Sequence, residues 1–191
     1  MDDKELIQRV ASKDQSAFKE LVEHYQNLVL NTCLNLIGSR EGAEDVAQEV
    51  FFRLYRSAKK FRHKSKLSTW IYRIAVNLSL NFIRDNRRFG GLQSLDPFLE
   101  KEPEMEALHL PSNSKSPEAL LEEKERKKLI REALGSLPEK QKVAFVLHKM
   151  EGFSSQEIAE ILEVSLSSVE ARIHRAKISL QKKLIPLLKK M

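Results

Sequence analysis

The sequence has few of the residues and runs that mark several large classes of protein. Its single cysteine, Cys33, excludes an internal disulfide framework and a cysteine-based zinc site. Six glycines and six prolines in 191 residues are too few for a collagen-like or linker-like chain and favour helix. There is no run of about 18 apolar residues, and the acidic start, residues 1–5, is unlike a signal peptide. We therefore expect a cytoplasmic protein.

Signatures of enzymes and metal sites are missing as well. The chain has no Walker A loop, no GxGxxG and no HExxH, and its five histidines lack ligand spacing. Adjacent acids such as Glu44 and Asp45 diverge on a helix, so they cannot form an acid–base pair. Cys33 lies in an apolar stretch and is expected in the core. We predict that the protein is not an enzyme and uses no cofactor, metal or small-molecule substrate.

What the chain does have is charge arranged in blocks. The net charge of +6 conceals a net of −5 in residues 1–52, with five basic and ten acidic side chains. Residues 53–88 carry eleven basic side chains and one acidic side chain, a net of +10. Residues 89–117 have a net of −3 and residues 118–191 a net of +4. Two basic blocks around an acidic spacer suggest two contacts with a polyanion, although a single charge run is more often a solvated helix face.

Composition also divides the chain. Residues 90–117 combine a glycine pair, four prolines and a serine-rich polar run at 112–116, which is typical of a linker. The flanking segments, 1–89 and 118–191, show apolar residues at helical spacing and no strand alternation. The sequence predicts an all-α protein, with two small helical domains joined by a flexible, acidic linker.

Helix boundaries can be predicted in the first domain. Asp14 or Ser16 caps an amphipathic helix, a second helix runs from about Ser39 to Ala58, and a third begins near Ser68. The apolar stripe of the third helix comprises Ile71, Ile74, Ala75, Leu78 and Phe82.

The second domain has equally clear helix signals. A helix begins at Ser116–Pro117 and ends near Gly135, and another begins at Pro138. Ser154 and Glu157 match a capping box.

The segment from Phe153 to Lys183 has the pattern of a helix-turn-helix. A short helix and a tight turn precede a basic helix that starts at Ser165 or Ser167. The first half of that last helix would enter the major groove of duplex DNA, where Arg binds guanine and Glu accepts from cytosine. The candidate DNA contacts are Ser167, Ser168, Glu170, Ala171, Arg172 and Arg175.

A second segment with nucleic-acid character is residues 61–88. Aromatic residues alternate there with basic ones, a mixture that suits unstacked bases and a phosphate backbone. Arg73, Asn77, Asn81 and Arg84 recur at helical spacing, opposite the apolar stripe. The spacing alone leaves two alternatives, nucleic-acid binding or an ordinary solvated face. For Tyr72 an ordinary surface aromatic is the simpler expectation, whereas Trp70 is expected at least half in the core.

Taken together, these segments resemble the sigma-70 family of bacterial RNA polymerase sigma factors, in its short extracytoplasmic-function (ECF) group. The resemblance is carried by EDVAQEVFFRLYR at 44–56, LSTWIYRIAVNLSLNFIRDNRR at 67–88 and the segment 137–184. It implies that 1–89 is sigma region 2, 90–117 the acidic linker and 118–191 sigma region 4.

The resemblance also implies partners and site residues. Core RNA polymerase, through its β and β′ subunits, would bind Asp45, Gln48, Glu49 and Phe52. The last helix would read duplex DNA at the −35 element, while the −10 element would be held single-stranded. The implied −10 contacts are Lys66, Ser68, Thr69, Trp70, Arg73, Asn77, Asn81 and Arg84. An anti-sigma factor, often membrane-anchored in the family, would sequester the protein and hold it at the membrane.

A conventional helix-turn-helix regulator that binds duplex DNA by itself is the rival hypothesis. It accounts for the second domain but gives no role to the basic–aromatic segment or to the acidic residues near 44–49. Glu170 and His174 stand where many ECF sigma factors carry a basic and an aromatic residue, so the resemblance implies no particular −35 sequence.

Overall fold

Residues 3–63, 65–89 and 128–188 are described by a computed structural model, and the regular structure in these ranges is entirely helical. The predicted all-α class, with two small helical domains, is confirmed for this part of the chain. Lys64, the predicted linker 90–117 and the predicted helix start at Ser116–Pro117 lie outside the described residues. The domain bounds therefore stay predictions.

The described residues contain eight α-helices, α1 to α8 in chain order. The first domain contains α1 (Asp3–Ala11), α2 (Gln15–Ile37), α3 (Arg40–Ser57) and α4 (Leu67–Phe89), with a short 3-10 turn at Ala58–Lys60. The second contains α5 (128–135), α6 (Glu139–Lys149), α7 (Ser155–Leu162) and α8 (Leu166–Leu188).

The start of α2 decides between the two predicted caps, Asp14 and Ser16. It is preceded by α1, a helix that the sequence analysis did not predict. Asp14 is the cap: its carboxylate accepts hydrogen bonds from the backbone N–H of Ser16 at 2.9 Å and of Ala17 at 3.1 Å. The hydroxyl of Ser16, the N–H of Ala17 and the guanidinium of Arg9 hold the pKa of Asp14 well below its usual range. Helix α1 was not predicted, because nine residues are too few for a clear periodic pattern, yet it buries Leu6, Ile7 and Val10.

Helices α2, α3 and α4 form the core of the first domain. Their apolar faces meet around Leu21, Val29, Val50, Leu54 and Ile71, all fully buried. Burying each such side chain contributes about 1.5–3 kcal/mol to the free energy of folding. Cys33 lies in the same core, as predicted, and its burial raises the pKa of the thiol to about 11. The thiol is therefore protonated at neutral pH and inert.

A close approach of α3 to α4 depends on Gly42. A β-carbon at this position would lie 2.5 Å from Cζ and 2.7 Å from Cε1 of Phe82, and 2.9 Å from Oγ of Ser39. Ser39 cannot easily move, because its Oγ accepts the N–H of Gly42 as the cap of α3. The glycine thus leaves room for the Phe82 ring of α4 to approach the start of α3 closely.

We expect Gly42→Ala to destabilise the protein. Alanine gains about 1 kcal/mol in helix propensity, but overpacking costs about 1–3 kcal/mol, so the free energy of unfolding should fall by about 1 kcal/mol in denaturant titration. In a Phe82→Ala background the clash is gone, and Gly42→Ala should be neutral or stabilising there. An equal loss in both backgrounds would show that the Phe82 contact is not the cause.

The second domain has the predicted helix-turn-helix. Ser154 and Glu157 form the predicted capping box at α7, with Ser154 Oγ accepting the N–H of Glu157 and the Glu157 carboxylate accepting the N–H of Ser154. The turn 163–165 passes through Glu163 in the left-handed region (φ 53°). Ser165 caps α8, since its Oγ accepts the N–H of Ser168 at 3.3 Å. Ile158, Val169 and Ile173 are buried between α7 and α8.

The two domains pack directly on each other. Helix α4 contacts α7, and α2 contacts α6. Leu36, Tyr72 and Val76 of the first domain belong to the same buried cluster as residues of α6, α7 and α8. This contact places the second domain against one side of α4, and it determines which of the predicted site residues are accessible.

Candidate polymerase and nucleic-acid interfaces

Helix α3 presents the predicted polymerase-binding residues on one face. Asp45, Gln48 and Phe52 are exposed and Glu49 is half-exposed, at positions that repeat every three to four residues. The buried side of α3 includes Val46, Val50 and Leu54. Spacing on α3 therefore separates the acidic face from the core face, as the sequence indicates.

Phe52 is the notable member of this face. It is 53% exposed, the highest value among the large apolar side chains of the described residues that lie on the surface. The Arg56 guanidinium lies 5.4 Å from the centre of its ring, and Arg53 Nε donates to Glu49 Oε1 at 2.7 Å. Exposure of an aromatic ring to water is unfavourable in the free protein. Exposed aromatic rings often become buried at the centre of protein interfaces.

The exposed face of α4 is basic and amide-rich. Asn77, Asn81 and Arg84 are exposed, and Arg84 Nη2 donates a hydrogen bond to Asn81 Oδ1. The opposite side buries Ile71, Ala75 and Leu78, with Ile74 and Phe82 partly buried against the same core. The predicted stripe is therefore confirmed, and the polar face points away from the first domain.

An aromatic cluster flanks the start of α4. The rings of Phe61 and Trp70 lie 4.9 Å apart, and His63 meets Phe61 edge-on at 4.8 Å. Trp70 is partly buried against the core, as predicted, with part of its surface accessible. One part of the cluster is held in the core, and another part remains accessible. Unpaired bases stack on accessible aromatic rings of this kind.

The remaining predicted −10 residues are less accessible. Lys66 is exposed, but its Nζ lies 3.3 Å from Glu157 Oε1 of the second domain. Ser68 is partly buried and Thr69 is only 2% exposed, so its predicted DNA contact needs a local rearrangement. Arg73 is bound by the end of α7: its Nη2 donates to the carbonyl of Glu160 at 2.6 Å, and its Nη1 pairs with Glu163 at 2.8 Å.

Tyr72 corrects an expectation. It is not a surface aromatic, because it is 4% exposed and packs edge-on against Phe153 at 4.5 Å. Its hydroxyl donates to Glu151 Oε2 at 3.0 Å. Burial and the neighbouring carboxylate raise the pKa of Tyr72 well above its usual range. Helical periodicity could not reveal this, since the partner lies in the other domain.

The first turns of α8 carry the predicted −35 residues. Ser167, Glu170, Ala171 and Arg175 are exposed, whereas Ser168 and Arg172 are partly buried. Val169 and Ile173 point inward and fix α8 against α7. The exposed side chains therefore project from one surface of the recognition helix.

A shallow groove beside α8 extends this surface and was missed by sequence reasoning. It is lined by His148, Ser155, Glu170, Ile173, His174 and Lys177. The ring of His148 is fixed because its Nδ1 lies 3.0 Å from the Phe153 carbonyl. His148 is on α6, so no local pattern connects it with the recognition helix.

Within the described ranges, no three His, Cys, Asp or Glu side chains come together in a way that could hold a metal ion. None of the helices in residues 3–63, 65–89 and 128–188 is long and apolar enough to cross a membrane.

Comparison with known proteins agrees with this geometry. Residues 21–89 match the family described as Sigma-70 region 2, and residues 127–180 match Sigma-70, region 4. The chain is 34% identical to the ECF RNA polymerase sigma-E factor of Haemophilus influenzae, over 97% of either chain. The chain belongs to the ECF group of sigma-70 factors. The predicted resemblance is thereby confirmed.

Two further likenesses support the assignment of family and fold. The RNA polymerase sigma-H factor of Pseudomonas aeruginosa is 33% identical over 98% of this chain and 96% of its own length. The solved structure of a sigma factor from Bartonella quintana, in complex with the anti-sigma factor NepR, has a TM-score of 0.65. It is 22% identical and covers 87% of this chain and 96% of its own, a likeness that shows the fold. As an ECF sigma factor, the protein directs transcription initiation by RNA polymerase.

Proposed function

We propose that three separate helix faces divide the work of this ECF sigma factor. The exposed face of α3, with Asp45, Gln48, Glu49 and Phe52, binds core RNA polymerase through its β and β′ subunits. The polar face of α4, with its flanking Trp70, binds the single-stranded −10 element. The first turns of α8 bind the −35 element as duplex.

The segregation of charge carries this proposal. The polymerase face on α3 holds Asp45 and Glu49, whereas the DNA face on α4 is basic and amide-rich. A polyanion is repelled by the first face and attracted by the second, so DNA and polymerase are directed to different sides of one small domain. The exposed aromatic ring on the acidic face gives the polymerase an anchor that DNA phosphates do not use.

Joining two DNA-binding domains in one chain makes two modest contacts into one specific contact. Once the chain is bound to polymerase, the second contact forms at a raised effective concentration. Melting is then driven by the capture of unstacked bases on aromatic and amide side chains, without any covalent step. The protein therefore acts as a binding factor and not as an enzyme.

An anti-sigma factor is the proposed regulatory partner. The Bartonella quintana protein was solved with one, and the exposed basic and amide side chains of α4 would suit an acidic partner segment. We place the sigma factor in the cytoplasm, held at the membrane when its anti-sigma factor is anchored there.

A run-off transcription assay with core RNA polymerase tests this function against the rival, stand-alone regulator. The purified chain should bind promoter duplex poorly alone and should give core polymerase promoter selectivity. Tight binding of duplex by the chain itself, with no selectivity conferred on the polymerase, would favour the stand-alone regulator.

Arg172→Ala is expected to relax selectivity at the −35 element. A bidentate contact from this residue to a base would contribute about 1–3 kcal/mol of discrimination. Competition between promoters that differ at single −35 positions measures it. Arg175→Ala provides the comparison on the same helix. If Arg172→Ala weakens every promoter equally, the side chain contacts phosphate and does not read a base.

A further inference from the structure

One acidic side chain stands within the basic recognition helix of the helix-turn-helix. Glu170 is the only Asp or Glu of α8, whereas this helix carries five lysines and arginines. Its side chain is exposed, in the same part of the helix as Ser167 and Ala171. DNA phosphates repel a carboxylate. An acid at this position therefore reduces the affinity of α8 for every duplex, unless it makes a specific contact there.

Glu170 has no structural role in the part of the chain that the structure describes. Its carboxylate forms no ion pair or hydrogen bond with any residue of 3–63, 65–89 and 128–188. Other acids of the helix-turn-helix differ, since Glu157 belongs to the capping box of α7 and Glu163 pairs with Arg73. Glu170 is also the fifth residue of α8, beyond the first turn in which an acid interacts favourably with the helix dipole.

Helical spacing places Glu170 at one edge of the exposed surface of α8. Glu170, His174 and Lys177 are four and three residues apart and line the same groove, so they share one side of the helix. Arg172 and Arg175 are three residues apart and lie on another side. The recognition helix thus has one edge with a carboxylate and another edge with two guanidinium groups.

Short side chains separate these two edges. Ser167 and Ala171 are four residues apart, so they lie on one face, and both are exposed. Small residues at the centre of this surface let the helix approach the floor of a major groove closely. The longer side chain of Glu170 is then within reach of a base edge.

The groove beside Glu170 offers the duplex a phosphate contact. Its lining includes the Ser155 side chain from the start of α7 and the Lys177 side chain from α8. A hydroxyl and an ammonium group suit a phosphate, and phosphate contacts fix the register of a protein on DNA. A backbone held in this groove leaves the bases, and not another phosphate, to the Glu170 carboxylate.

The chemistry of the base edges decides which base a carboxylate selects. In the major groove cytosine presents its N4 amino group as a donor, and adenine presents its N6 amino group beside the N7 acceptor. Guanine and thymine present acceptor oxygens. An ionised carboxylate can only accept hydrogen bonds, so N7 of adenine repels it, while cytosine has no acceptor beside its amino group. Cytosine is the base that a glutamate suits best.

We propose that Glu170 determines specificity at the −35 element by accepting a hydrogen bond from the N4 amino group of a cytosine. This inference rests on the proposed function of α8 and names the base that one position of its site requires. The same carboxylate rejects guanine and thymine there, because each places an acceptor oxygen against it.

Base selection by the complete holoenzyme tests the proposal. Core RNA polymerase with the full chain transcribes a library that holds every base at each −35 position and a −10 element already selected by the parent factor. A transcribed barcode identifies each template. The parent chain should favour cytosine over each other base at one −35 position by at least about five-fold.

Two substitutions of Glu170 should change that preference in different ways. Glu170→Gln should move it from cytosine to adenine, because an amide pairs with both N6 and N7 of adenine. Glu170→Ala should abolish the preference at that position and leave the other positions unchanged. The side chain is exposed and unpaired among the described residues, so thermal unfolding of both variants should match that of the parent chain.

Two matched controls separate base reading from a general effect of charge. Glu160→Gln makes the same change of charge on α7, where Arg73 uses the backbone carbonyl of this exposed residue. It should leave every base preference as it is. Lys177→Ala removes a cation from the groove beside Glu170. It should weaken all templates alike and lower the slope of log affinity against log salt by about 1.

The proposal is refuted if no cytosine preference of the parent chain moves in Glu170→Gln. It is also refuted if Glu170→Ala strengthens all templates equally, since Glu170 would then be a surface acid that only repels phosphates. In both cases the promoter selectivity of the parent chain would leave the proposed function standing. A parent chain that gives core polymerase no selectivity would contradict the proposed function, and base selection with it.

Discussion

Replacing Phe52 with alanine is expected to weaken binding to core RNA polymerase about 30-fold or more. Aromatic anchors at the centre of an interface commonly contribute 2 kcal/mol or more when truncated. Phe52 is 53% exposed at the end of the acidic face of α3 and is not one of the buried side chains that form the core of the first domain. The substitution should therefore leave the free energy of unfolding almost unchanged while removing the anchor.

The measurement is fluorescence anisotropy of labelled sigma factor titrated with core polymerase, alongside thermal unfolding of the free chain. Two acids on α3 provide a matched pair: Asp45→Ala should weaken binding, whereas Glu44→Ala, which removes a carboxylate paired with Arg40, should not. If Phe52→Ala binds polymerase as tightly as the parent chain, α3 does not present the polymerase-binding face.

Loss of the Trp70 side chain is expected to reduce open-complex formation much more than polymerase binding. Base–aromatic stacking contributes about 1–3 kcal/mol per base, or about 5- to 150-fold. Trp70 lies against Phe61 at the start of α4, the helix that also carries the exposed amides of Asn77 and Asn81. Trp70→Ala should therefore leave closed promoter complexes that fail to melt, which permanganate footprinting of unpaired thymines detects.

Because Trp70 also packs against the core, its variant needs companions that separate stacking from folding. Trp70→Phe keeps an aromatic face and should retain most of the melting activity. Asn77→Ala changes an exposed side chain and should reduce open-complex formation without affecting stability. Equal loss of melting and of polymerase binding in Trp70→Ala would assign the residue a folding role instead.

Much of the first domain could be predicted because its signals are local. The cap at Asp14, the stripe of α4 and the acidic face of α3 follow from helical spacing, since residues three and four apart share a face whatever surrounds the helix. Helix α1 escaped prediction, because its nine residues give a pattern too short to distinguish from chance.

The helix-turn-helix was predictable for the same reason. Ser154, Glu157 and the apolar residues of α7 and α8 form a continuous pattern in the sequence. The choice between Ser165 and Ser167 as the cap of α8 required the structure. Each serine stands three residues before a backbone N–H that it could cap, that of Ser168 for Ser165 and that of Glu170 for Ser167. In the structure the Oγ of Ser165 accepts the N–H of Ser168, so Ser165 is the cap.

The sequence by itself determined the helical class, the faces of α3, α4 and α8, and, through its resemblance, the family. Only the tertiary structure decided which of those faces are free. Tyr72 is buried, and Arg73 and Lys66 are engaged, because residues 79 to 91 positions away in the chain, including Glu151 and Glu157, fold against them. Periodicity describes one helix and its two sides. It cannot say which side a second domain covers, because that depends on shape and charge brought together only by folding.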